Sequence, residues 1–125
     1  MIRKFHEAKL NGNVYVELWG TGIPMREFLH VDDLSRAVLH VLENVLEEHL
    51  YNIGTGVDLT IKELATKIQL VVGHEGKITW NTTKPDGTPK KLLDSSKINN
   101  EGWIAKIDLD KGIKEVYNWY INKKI

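Results

Sequence analysis

Arg26 is the residue best suited to ligand chemistry in this sequence. It leaves a loop containing Gly20, Gly22 and Pro24 and opens an apolar run. A guanidinium in that place fits the paired oxygens of a pyrophosphate, although on the residues alone an ordinary surface arginine is the favoured reading. Trp19 ends the preceding apolar strand, where its ring either stacks on a base or sugar or fills the core. Lys84, Lys90 and Lys91 flank a stiff Pro-Asp-Gly-Thr-Pro loop at residues 85–89. There they either close on an anion or stand in solvent. Together these residue types suit a nucleotide or another phosphorylated ligand.

Other chemistries have little support. The chain has no cysteine, which removes disulfides, zinc–thiolate centres and cysteine nucleophiles. His6, His30, His40, His49 and His74 lack the spacing of a metal site. The sequence contains neither the glycine-rich turn of a dinucleotide-binding strand–helix unit nor a P-loop. Gly54-Thr55-Gly56 lies where a phosphate could sit, but reads first as a structural turn. Asp32 and Asp33 have the chemistry of an acid/base pair, yet capping of the following helix is the simpler account. The 17 Lys and Arg residues balance 17 Asp and Glu, which argues against nucleic acid or an acidic membrane as partner. No apolar run approaches the roughly 20 residues of a membrane span. The first residues lack the apolar core of a signal peptide, so a cytoplasmic protein is expected.

Strands and helices must alternate to position these residues. Residues 1–10 read as a helix with Ile2, Phe5 and Ala8 on one side. Nothing precedes that helix to cap it, so the sequence is expected to be part of a longer protein. Strands are expected at residues 14–19, 27–31, 50–53 and 77–80. Asp32 or Asp33 should cap a helix that buries Leu34, Ala37, Val38, Val41, Leu42 and Val45. Thr60 and Glu63 form a capping box, and Gly73 ends the helix they start. Ser95 or Ser96 and then Asp108 cap two further helices, the last with Leu109, Ile113, Val116, Tyr117 and Tyr120 inward. The class is α/β.

Four segments, IRKFHEAK, WGTGIPMREFLHVDDL, YNIGTGVDLTIKELA and TKPDGTPKKLLDSSKI, occur in this order, followed by a Gly-Trp pair and an acidic-capped helix, and the likeness they carry spans essentially the whole chain. They resemble the C-terminal part of the GDP-L-fucose synthase family, within the extended short-chain dehydrogenases/reductases. R-E-F-x-H-V-D-D is shared with many sugar-nucleotide epimerases and dehydratases. W-G-x-G-x-P-M-R-E-F and K-P-D-G-T-P-[RK]-K are narrower. The resemblance implies the substrate-binding part of a Rossmann-type fold, residues 1–125 forming one such portion without the dinucleotide-binding region. It implies an NADPH-dependent 3,5-epimerase/4-reductase that converts GDP-4-keto-6-deoxymannose to GDP-L-fucose. It assigns substrate contacts to Lys4, Trp19, Arg26, Asp86 and Lys91, with Arg26 on the pyrophosphate. Lys90 stands where the family more often has arginine, which keeps the charge and loses the fork.

The same resemblance places the catalytic groups elsewhere. The family's Ser-Tyr-Lys set, its cofactor glycines, and its acid/base cysteine and histidine all match positions upstream of Met1. No catalytic, cofactor-binding or metal residue is therefore expected in this chain. NADP(H) is expected on an N-terminal cofactor domain, which would be a partner of this part in a homodimeric enzyme. Tyr120 and Lys124 share the Tyr-x-x-x-Lys spacing by chance. Three readings stay open: the substrate-holding part of such an enzyme or of a related NAD(P)-dependent epimerase or dehydratase, a non-catalytic GDP-sugar binding module, and a remnant with uncovered apolar faces.

Overall fold

A computed structural model describes residues 1–47 and 49–123. Helix α1 (Ile2–Leu10) leads into β1 (Tyr15–Trp19), then β2 (Met25–Glu27) and helix α2 (Val31–Glu43). Strand β3 (Asp58–Thr60) runs directly into α3 (Ile61–Val72), followed by β4 (Lys77–Asn81) and the two-residue β5 (Lys90–Lys91). Short α4 (Ser96–Asn100) and long α5 (Leu109–Asn122) complete the order. The alternation expected from the sequence is present, and the class is α/β. Among the described residues no helix is long and apolar enough to cross a membrane.

Two small sheets carry the architecture. β1 and β4 pair in parallel, with Tyr15 opposite Lys77 and Trp19 opposite Asn81. β2 is the middle strand of the other sheet, antiparallel to β3 and parallel to β5. That register sets Arg26 beside Leu59 on one side and Lys91 on the other.

Alternation along β1 turns Val16 and Leu18 inward, where they meet Phe5, Ala8, Leu64, Ala65, Ile68, Val72 and Ile113. Phe5 is fully buried, a contribution of about 1.5–3 kcal/mol for a side chain of that kind. The Thr60–Glu63 capping box forms in full, and Gly73 closes α3 in the left-handed conformation. Asp108 caps α5 by accepting from the Lys111 amide.

Several expectations need correction. The second strand lies at Met25–Glu27, because Met25 and Arg26 find strand partners on both sides while Val31 already starts α2. Neither aspartate caps α2: the ring of His30 accepts from the Asp32 amide at 3.2 Å. Asp33 is instead fully buried and accepts from the backbone amides of Lys106 and Ile107 and from Arg36. Of the apolar stripe on α2, Ala37 is buried against Ile98 and Trp103. Leu34, Val38, Val41 and Leu42 are exposed, because no described element lies over them, and Val45 is exposed beyond the end of α2 at Glu43. Residues 50–53 are not a strand. Tyr51 and Ile53 pack on the Ala37 cluster, and Asn52 donates to the Asp94 carbonyl. Ser95 precedes α4 without a side-chain cap bond, and the Ser96 amide is met by Asp94. On α5, Val116 faces solvent.

Candidate functional site

The segment at residues 19–26 and the loop at residues 84–91 lie alongside each other as two walls. Trp19 ends β1 and is 65% exposed, which decides against a core role. Two ammonium groups stand over that ring. Lys84 Nζ is 5.4 Å from the centroid, and Lys4 Nζ is 5.9 Å away while donating to the Glu17 carbonyl. Both are within cation–π range.

The tip of the loop is held by Thr21. Its amide donates to Asp86 Oδ1 and its hydroxyl to Oδ2, each at 2.7 Å. These two bonds, the hydroxyl first, hold the Asp86 carboxyl below its ordinary pKa because they favour the charged form. Gly20 makes the approach feasible. Its φ is +80°, and a Cβ there would run into the Asp86 carboxylate. The ends of the loop are fastened too. Thr83 bonds Asn81 at the entry, and the Pro89 carbonyl accepts from the Met25 amide at 2.8 Å at the exit.

At the Arg26 end, the guanidinium donates to the Met25 carbonyl at 2.6 Å and lies against Gly87. Lys90 and Lys91 differ in kind despite being adjacent. Lys90 Nζ lies 3.3 Å from Asp58 Oδ2, an ion-pair distance without hydrogen-bond alignment. Lys91, beside Arg26 in the sheet, has no carboxylate partner among the described residues. Glu27 fastens the floor, since its carboxylate accepts from the Gly56 amide at 2.6 Å, from Thr55 Oγ1 at 3.3 Å and from the Leu93 amide at 3.2 Å. The Gly54-Thr55-Gly56 turn is therefore structural, and a phosphate there would meet a carboxylate.

Of the residues expected at a site, Trp19, Lys4 and Lys84 form one group and Arg26 and Lys91 another, with Asp86 between them. Asp86 has both oxygens engaged by Thr21. Thr21 and Glu27 were not expected to contribute; the signals available were a hydroxyl between two positive-φ glycines and a carboxylate directly after Arg26. The Tyr120–Lys124 spacing cannot be placed, because Lys124 lies outside the described residues. Among the described residues no group of three acidic or histidine side chains is arranged for a metal.

An apolar groove of about 570 Å³ lies elsewhere, between α1, the start of α2 and α5. Ile2, Phe28, Val31, Ile113, Val116 and Trp119 line it, so it suits an apolar protein surface better than a nucleotide.

The model of the NAD dependent epimerase/dehydratase family matches residues 1–54. GDP-L-fucose synthase 1 of Arabidopsis thaliana is 51% identical over 121 residues, covering 97% of this chain and 38% of its own length. A GDP-6-OMe-4-keto-L-xylo-heptose reductase from C. jejuni superposes with a TM-score of 0.89 at 35% identity, over 98% of this chain and 47% of that one. A GDP-L-fucose synthetase from Naegleria fowleri, solved with NADP bound, superposes at 0.87 with 25% identity, over 97% of this chain and 37% of that one. This chain thus spans between 37% and 47% of the length of these relatives.

Proposed function

We propose that this chain, homologous over essentially its whole length to the GDP-L-fucose synthases, is the C-terminal nucleotide-sugar-holding part of such an enzyme. The complete reaction is the NADPH-dependent 3,5-epimerisation and 4-reduction of GDP-4-keto-6-deoxymannose. The observation that carries the reading is the paired wall of residues 19–26 and 84–91, with an exposed indole at one end and Arg26 beside Lys91 at the other.

In this reading Arg26 and Lys91 hold the diphosphate, where a guanidinium fork and an ammonium answer adjacent negative charges. Trp19 and Lys4 contact the other end of the ligand. Asp86 contributes by fixing the loop over it. The contribution to catalysis is positioning, which counts only when the reacting atoms are held in near-attack geometry.

The residues present do not fit the dinucleotide. The Gly54-Thr55-Gly56 turn, which lies between α2 and β3, already holds the Glu27 carboxylate, which would repel a phosphate. NADP(H) belongs to a cofactor-binding part outside these residues. The apolar groove beside α1 and α5 is a surface on which such a part would pack.

Titration calorimetry of the full chain with GDP tests this reading. Wild-type protein is expected to bind, and Arg26→Ala to bind about tenfold or more weakly, the worth of a lost charge-assisted hydrogen bond. A folded chain that gives no binding with GDP refutes the proposal.

A further inference from the structure

We infer that Lys84 is an additional ligand-binding cation and that Thr21 is the residue that positions it; this rests on the nucleotide-sugar reading above. Charge on the two walls is concentrated at their ends. Arg26 and Lys91 occupy one end, Lys4 and Lys84 the other, and Lys90 is already paired with Asp58. Lys84 reaches Trp19 from the turn after β4, where its amide donates to the carbonyl of Asn81, the strand partner of Trp19, and its loop then bends back along residues 19–26. That bend is restrained at its tip by the two hydrogen bonds from Thr21 to Asp86, two residues beyond Lys84.

The same bonds fix Thr21 itself. Its hydroxyl donates to Asp86 and accepts from the Ile23 amide at 3.2 Å, so its rotamer is set from both sides. Gly20 leaves the space into which the carboxylate enters. A loop held this way stands closed over the site before any ligand arrives, which lowers the ordering cost of binding. The Lys84 ammonium rests on the indole face, a weak exposed contact that an anion can replace with a stronger one. The ligand implied is an extended anion, with charge near Arg26 and a further polar or charged group reaching Trp19.

The test is a GDP titration of five forms of the full chain: wild type, Lys84→Ala, Thr21→Val, Thr21→Ser and the Lys84→Ala/Thr21→Val pair. Lys84→Ala is expected to weaken binding roughly three- to tenfold, as an exposed charged contact should. Thr21→Val should weaken it by a similar factor and Thr21→Ser should restore it. The double variant should be no weaker than the worse single one, because both changes remove one interaction. Amide hydrogen exchange at residues 83–88 should quicken in Thr21→Val without ligand. Lys84→Ala binding like wild type while Arg26→Ala fails would overturn this inference and leave the broader reading standing. Additive losses in the double variant, or unchanged exchange in Thr21→Val, would overturn the positioning role. Absence of GDP binding by the wild type would remove both.

Discussion

Replacing Asp33 by Asn should cost far more than removing its ion-pair partner. The Asp33 side chain is wholly buried. Both its oxygens accept from the Lys106 amide at 3.1 Å, Oδ2 also accepts from the Ile107 amide at 2.9 Å, and Arg36 donates to Oδ1. Asn keeps one acceptor but turns an NH₂ group toward backbone N–H donors. Each hydrogen bond to a charged group is worth about 1.5–3 kcal/mol, and a buried donor without an acceptor adds about 1–3 kcal/mol of penalty. Since the losses overlap, we expect roughly 3 kcal/mol, a large share of the 5–15 kcal/mol that folded domains possess. In melting temperature that is on the order of 10 °C for a chain of this size. Arg36→Ala should cost only about 1 kcal/mol, because the arginine side chain is 40% exposed and the backbone amides still serve the carboxylate. Urea unfolding followed by circular dichroism reads both values. An Asn variant within about 0.5 kcal/mol of wild type, or an Arg36→Ala effect larger than the Asp33→Asn effect, would refute this account; both margins exceed ordinary surface noise.

Two more outcomes follow from local geometry. The Asp86 carboxyl is held below its ordinary value of 3.8 by the Thr21 hydroxyl and amide, so the loop restraint is fully present above that pH and lost as pH falls through the lower folded-state value. The Thr21 amide resonance should therefore shift with a midpoint below 3.8, and a midpoint at or above it would contradict the bond. Thr60→Ala should lower unfolding free energy by about 1 kcal/mol, since it removes the cap that binds the Glu63 amide at 3.1 Å; an unchanged denaturation midpoint would argue that the cap is idle.

What could be read in the sequence was local. Thr60 and Glu63 are three residues apart, and Gly73 directly ends the helix, so their roles follow from neighbours along the chain. The Pro-Asp-Gly-Thr-Pro loop was recognisable, and so was the Gly/Pro loop that leads into Arg26. Asp33 was misread because the backbone amides it serves lie 73 and 74 residues away, whereas a helix cap needs only the next few residues. Trp19 was undecided for a similar reason, since the strand pattern fixes its face without saying what stands opposite. Thr21 draws its importance from Asp86, 65 residues later, and Glu27 from a turn and a loop exit that no motif links. The stripe on α2 was read correctly as apolar and wrongly as buried, because periodicity reports a wish for a partner and not its presence.

That uncovered stripe also bears on how the chain responds to temperature. The heat-capacity increment of unfolding grows with the apolar surface newly wetted, at about 12–15 cal/mol/K per residue in ordinary domains. Leu34, Val38, Leu42 and Val45 are already wet in the folded chain and add little to it. The stability curve of the chain is thereby flattened: it loses less on cooling than its length suggests.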